Sequence, residues 1–255
     1  MSENLSNNLS EYYEKSTRFF LPPNTYTIIQ IQNSNYTNFN TSNSGDKFSD
    51  EIMDCLKETA SELLLKIPTA KLIFVNYYEL DVLLYEFKYK DFGEWCDGDI
   101  QKIVTETTNF TTNTFNSLRL SKKIDKCSKE YFYIDGIEVC DVREYMFIDD
   151  LKYIKFIDFF AKCFTIPSRS DVIKYFIERQ SNLIFDYTKN ITNHLMFDDD
   201  HESNNKPDID FNIINENIKG FIYLKDMYGF LASENKCPIL HKDNKLLLDN
   251  IPENK

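Results

Sequence analysis

A chain of 255 residues with 42% apolar content, 21 Phe and 16 Tyr can bury a full core, which excludes a disordered or low-complexity protein. Its net charge of −12 sets up a field that repels nucleic acid except where basic residues cluster. Only 6 Gly stand against abundant Asn, Ile, Lys, Phe and Tyr, a pattern of AT-rich coding, so enrichment of any one residue type carries little weight.

Residues 1–11 are polar and read as a loose arm. "EYYEKSTRFF" then runs into Pro22–Pro23, which forces an extended entry. The first strand spans about Tyr26–Gln32, with Thr27, Ile29 and Ile31 on one face and Ile28, Gln30 and Gln32 on the other. It ends in a polar turn, Asn33, Ser34, Asn35 and Tyr36, rich in donors for a ligand, the kind of strand-end turn that holds phosphates or metals. "KFSDEIMDCLKETASELLLKI" has the helical period and stops at Pro68. "KLIFVNYYELDVLLYEF" reads as a hairpin turning near Asn76–Tyr77. "DGDIQKIVTETTNFTTNTFNSLRL" is a long helix despite its threonines, with acids near its start.

At its end and just beyond, Arg119, Lys122, Lys123, Lys126 and Lys129 form the one basic cluster and the one candidate RNA-binding surface. Residues 121–155 are mixed in pattern and divergent, with a short strand near "EYFYIDG". "IDFFAKCFTI" reads as a strand, and Ser168 or Ser170 caps the helix that follows Pro167. Residues 197–208 are an acidic loop, a structured piece covers about Ile213–Leu231, and residues 236–255 read as a peripheral tail. Residues 12–235 thus form a single domain.

The order strand, helix, hairpin, helix, strand, helix predicts an α+β fold. It is an antiparallel, ferredoxin-like sheet of the split βαβ type with helices packed on one face. Six scattered cysteines without a C-x-x-C pair, no basic segment leading into an apolar run at the start, and no stretch of about 18 apolar residues point to reduced thiols, a cytoplasmic location and no membrane partner. His194, the "FDDD" tract and His201 read as a solvated loop rather than a metal site, and His241 has no visible catalytic partner. The "DGD" at 97–99 and Lys102 receive no chemical role.

Taken together, "YYEKSTRFFLPP", "IIQIQNSNYTNF", the helix–hairpin through "VNYYELDVLLYEF", "WCDGDIQKIV" and "FFAKCFTIPSRSDVIKYFIERQ" form a collinear series. The series resembles the tRNA(His) guanylyltransferase family of 3′-to-5′ nucleotidyl polymerases, over roughly residues 12–118 and 156–180. The resemblance implies a polymerase-palm fold. It also implies a two-metal chemistry in which two aspartates and a glycine carbonyl hold the ions that activate a nucleoside triphosphate.

The chain departs from that pattern at the metal ligands. The first Asp corresponds to Gln32, the Gly to Asn33 and the second Asp to Tyr78, with Tyr77 for the preceding Ser and Thr37 for the family's histidine; Glu79 alone is retained. In a strand Glu79 points opposite to Tyr78 and Asp81 shares that wrong side, so Glu79 does not simply take over. Lys47 matches a family lysine and, with Asn33, Ser34, Asn35 and Tyr36, is a nucleotide-binding candidate. A glutamine carbonyl brings no charge and a phenol little, so the resemblance implies a catalytically degenerate member with no metal or other cofactor. Such a member binds tRNA or a nucleotide, or assembles with itself or a related subunit. The alternative is an active tRNA 5′-end nucleotidyltransferase using Mg²⁺ and GTP or ATP at a rebuilt site.

Overall fold

The computed structural model describes residues 9, 12–22, 25–33, 50–76, 79–85, 95–129, 132–134, 137–139, 156–197, 221–225, 232–236, 240 and 243–253. For 50–51, 125–129, 132–134, 137–139, 186–197 and 232–236 it describes the backbone only. Ser34, Asn35, Tyr36, Thr37, Lys47, Tyr77, Tyr78, His201 and His241 lie outside the described residues, as do most of the arm and the loop 198–208.

The first strand, β1 (Tyr26–Asn33), is flanked on one side by the hairpin of β2 (Ala70–Val75) and β3 (Glu79–Tyr85), and on the other by β6 (Phe159–Ile166). With β7 (Phe221–Lys225) and β8 (Ala232–Lys236) these strands make one antiparallel sheet in the order β6-β1-β3-β2-β7-β8. Strand β3 lies between β1 and β2, so the split βαβ unit expected from the element order is present. The hairpin turns where anticipated: Asn76 N–H donates to the Glu79 carbonyl, and Asn76 Oδ1 accepts from Glu79 N–H at 2.9 Å. A separate ribbon of β4 (Phe132–Ile134) and β5 (Ile137–Val139) contains the short strand anticipated near "EYFYIDG".

One face of the sheet carries α1 (Asp50–Lys66) and α2 (Ile100–Lys129). Their apolar stripes meet Ile29, Ile31, Ile73, Val75, Leu80, Val82 and Leu84 in a single core, each residue at most a few per cent exposed. Phe115 of α2 sits edge-on to Phe159 at 5.2 Å, and the buried Asn116 amide clamps the entry to β6 by donating to the Ile157 carbonyl and accepting from Ile157 N–H. Helix α2 starts where the left-handed Cys96, Asp97 and Gly98 turn the chain. Asp99 caps it, its Oδ1 accepting from the N–H groups of Gln101 and Lys102.

The helix α3 (Arg169–Phe197) is capped by Ser168, whose Oγ accepts from Asp171 N–H while donating to the Asp171 carboxylate at 2.6 Å. The α+β class and the antiparallel palm-like sheet stand as expected, with α1 and α2 layered on one face. The opposite face is covered as well over the part nearest Tyr26: Val172, Ile173, Phe176 and Leu183 of α3 pack on Ile28, Leu72, Phe74 and Leu83.

The tail is a correction to the sequence reading. Leu240, with Leu247 and Ile251 in and after α4 (Lys245–Asn250), is buried in this second core, Tyr26 Oη donates to the Pro252 carbonyl, and Arg169 pairs with Glu253. Leu240, Leu247 and Ile251 therefore belong to the core, while Asp243, Lys245, Leu248, Asp249, Asn250 and Glu253 are exposed. Their apolar spacing is too short for a periodicity argument to register. Among the described residues no helix is long and apolar enough to cross a membrane.

Candidate functional site

Alternation along β1 carries Tyr26 and Ile28 into the second core and then continues on the same face with Gln30 and Gln32. The register of β3 places Asp81 opposite Gln30 and Glu79 opposite Gln32. The apolar cover of α3 gives way here to a polar corner. Gln30 and Gln32 each donate an amide N–H to Glu79 Oε2, at 3.0 and 2.9 Å. Arg179 of α3 makes an ion pair with Glu79 Oε2 through Nη2 and donates from Nε to Asp81 Oδ2 at 2.9 Å. Tyr175, one helical turn earlier, donates its hydroxyl to Asp81 Oδ1 at 3.0 Å.

Burial sets the electrostatics. The Asp81 side chain is fully buried, and those of Glu79 and Arg179 are 13% and 18% exposed. Loss of water pushes the Asp81 carboxyl up to about 6, against the pull of the Arg179 guanidinium and with a push from Glu79. Burial also drives the Tyr175 phenol upward, helped by the Asp81 charge. For Arg179 burial opposes the charge, but the carboxylates of Asp81 and Glu79 outweigh it and hold the guanidinium protonated. The corner thus gathers two acidic side chains and one guanidinium, each with at least one hydrogen bond.

Of the residues singled out in the sequence, Gln32 and Glu79 meet here, and Asn33 follows at the end of β1. Glu79 and Asp81 share a side, as alternation requires, but it is the side of Gln32 and not the wrong side expected from the sequence, because the register of β1 against β3 sets Glu79 opposite Gln32. The members missed are Gln30, Tyr175 and Arg179. A sequence signal existed for them: Tyr175 and Arg179 are four apart on a helix, and Asp81 interrupts the apolar strand "ELDVLLY". The basic cluster lies on α2, where Lys122 pairs with Glu58 at 2.6 Å and Arg119 stacks over Phe115; the side chains of Lys126 and Lys129 are outside the described residues.

On the other side of the sheet a cavity of about 580 Å³ opens at the start of α2, lined by Arg18, Lys66, Trp95, Asp99, Lys102 and Phe110 among others. Its cations are engaged: Arg18 with Glu14 and Asp99, Lys102 with Asp97, and Lys66 over the Phe110 ring.

The overall fold is shared with solved structures. The chain is similar to a bacterial tRNA(His) guanylyltransferase (Thg1)-like protein in complex with GTP, at TM-score 0.69 and 18% identity over 96% of this chain and 99% of that one. The same kind of bacterial protein in complex with ATP gives TM-score 0.68 and 18% identity over 96% and 98%. The tRNA(His) guanylyltransferase from Saccharomyces cerevisiae gives 0.58 and 15% over 91% and 98%. The chain has the fold of these proteins, in agreement with the resemblance read from its motifs. No family model matches the sequence, and no curated protein does.

Proposed function

We propose that this protein is a divergent tRNA(His) guanylyltransferase-like protein whose nucleotidyl-transfer site is unarmed, retained to bind tRNA or a nucleotide or to assemble with itself or a related subunit. The observation that carries the reading is the state of Gln32. At the position of the family's first aspartate stands an amide that donates its N–H to Glu79 and brings no charge. The described residues do not fit a magnesium ion. Two amide N–H groups and a guanidinium already occupy Glu79 Oε2, and among the described residues no three His, Cys, Asp or Glu side chains converge.

Nucleotide binding draws support from the likeness to structures determined with GTP and ATP, and the turn beginning at Asn33, together with Lys47, is the place to test it. For tRNA the candidate surface is the basic cluster of Arg119, Lys122 and Lys123 of α2 with Lys126 and Lys129, and Lys122 is already paired with Glu58. With a net charge of −12, unaided binding is expected to be weak and steeply salt-dependent.

The competing reading is an active tRNA 5′-end nucleotidyltransferase, and one observation favours it: Glu79 is on the face of Gln32 and within reach of it. A metal- and NTP-dependent extension assay on 5′-monophosphorylated and triphosphorylated tRNA separates the two. The unarmed reading expects no incorporation above background by the wild-type chain, and expects Gln32→Asp with Tyr78→Asp to gain divalent-ion binding measurable by calorimetry. Robust incorporation by the wild type would refute it.

A further inference from the structure

The cavity at the start of α2 is walled by three separate parts of the chain. The Ile100 N–H donates to the Phe19 carbonyl and the Leu21 N–H to the Gly98 carbonyl, which holds the segment of Glu14 and Arg18 against the helix. The end of α1 supplies Leu63 and Lys66, and α2 supplies Glu106 and Phe110. Trp95 lies just before Cys96 and Asp97, two non-glycine residues held left-handed at φ 56° and 58°, a geometry that clusters at ligand sites.

This cavity is remote from the polar corner. Strands β1 and β2 run parallel, each antiparallel to β3; Lys66 lies just before β2 begins, whereas Gln32 lies where β1 ends. The corner also faces α3, and the cavity lies among α1 and α2.

Its charges leave a remainder of both signs. Arg18, Lys66 and Lys102 line it against Glu14, Asp99 and Glu106. Arg18 pairs with Glu14 and Asp99, and Lys102 with Asp97 outside the lining. Among the described residues Lys66 meets only the Phe110 ring, 6.0 Å from its centre, and Glu106 has no hydrogen bond or ion pair. Glu106 stands one helical turn before Phe110, so one unpaired cation and one unpaired carboxylate flank the same ring.

We propose that this cavity binds a free amino acid with an apolar side chain. Its carboxylate meets Lys66, its ammonium meets Glu106, and its side chain lies on Phe110, Leu63 and Trp95. A zwitterion gives each unpaired charge a partner, whereas a ligand of one sign covers the other charge without one. A phosphate ester is the poorer fit, since three carboxylates line the same space. A volume of about 580 Å³ admits an amino acid with water around its charged ends.

The test uses the chain's single tryptophan, Trp95, whose emission reports this cavity. Titration of the full chain with L-leucine or L-phenylalanine should change that emission saturably, with half-saturation at about 1 mM or below. Isopentylamine and 4-methylpentanoate, the two halves of the leucine charge pair, should each bind about tenfold more weakly than leucine, as should phenethylamine and 3-phenylpropionate against phenylalanine. Lys66→Met and Glu106→Gln should each weaken amino-acid binding by about tenfold and melt as the wild type does, both positions being exposed.

Silence from both amino acids overturns the proposal. So does equal binding of the amine or the carboxylate alone, or a variant that binds as the wild type does. GMP should leave the emission unchanged; a saturable GMP response that Lys66→Met weakens marks a nucleotide pocket and overturns it too.

Discussion

Asp81 is the residue on which the corner's energetics turn. Its carboxyl rises to about 6 because burial outweighs the attraction of Arg179, so the folded state binds a proton more tightly than the unfolded chain does. Between about pH 4 and 6 the native state therefore holds more protons at this position. That component of stability is largest at the acid end and is lost as pH rises through the window, by up to about 3 kcal/mol. Other carboxylates slope the opposite way, as Asp171 must, its carboxyl held low first by the Ser168 hydroxyl. The difference between wild type and Asp81→Asn isolates the term. Urea midpoints at pH 4, 5, 6 and 7 should show wild type losing ground to the variant as pH increases, and parallel curves would count against a raised carboxyl. Gln32 and Glu79 were each legible because both fall in recognisable stretches, but strand alternation set Glu79 on the wrong side, and only the register of β1 against β3 brings the two together. Arg179 was not, because its partners lie about a hundred residues away and only the docking of α3 brings them together.

The elements show why pattern reading worked for some segments and stopped short in others. Helix α1 ends one residue before Ile67–Pro68, where the missing amide donor stops it. Helix α2 runs nine residues past the expected Leu120 because the lysine-rich stretch, read as surface, continues the helical course. The stretch "YFIERQ", which carried part of the family resemblance, turns out to serve the fold at four positions. Tyr175 and Arg179 hold Asp81, Phe176 fills the second core, and Gln180 Oε1 accepts from Leu240 N–H. A motif can thus persist for structural reasons when the ligands around it have changed.

The threonines of α2 point to a second prediction. Thr107 and Thr111 are fully buried, and their hydroxyls have no hydrogen-bond partner among the described residues. A buried orphan hydroxyl costs on the order of 1 kcal/mol or more. Valine keeps the shape and removes that cost. The double variant Thr107→Val, Thr111→Val should raise Tm by a few degrees in scanning calorimetry, and a lowered Tm would mean that these hydroxyls are satisfied.

At the scale of the whole molecule, the sheet has a core on each face, and the second is sealed by residues that read as dispensable. Leu247 is wholly buried there beside Ile251 and Leu240. Leu247→Ala should cost about 3 kcal/mol, seen as a lower urea midpoint with an unchanged slope, whereas a peripheral position would give close to zero. Six apolar residues in the 13 of 239–251, three of them consecutive, make too short a segment for a period to stand out, which is why the sequence left it outside the domain. The central layers were readable because their strands and helices are long enough for alternation and helical period to show.

The bond from Tyr26 to the Pro252 carbonyl joins positions 226 apart in the chain. During synthesis the opening strand thus emerges long before the segment that shelters its aromatic end, and the stacked Tyr26 and Tyr85 rings wait in water meanwhile. Long-range closure of this kind slows folding and leaves sticky surface open to neighbours on the ribosome. Chaperone dependence during translation, greater than that of a helical bundle of equal length, is the cost this topology carries.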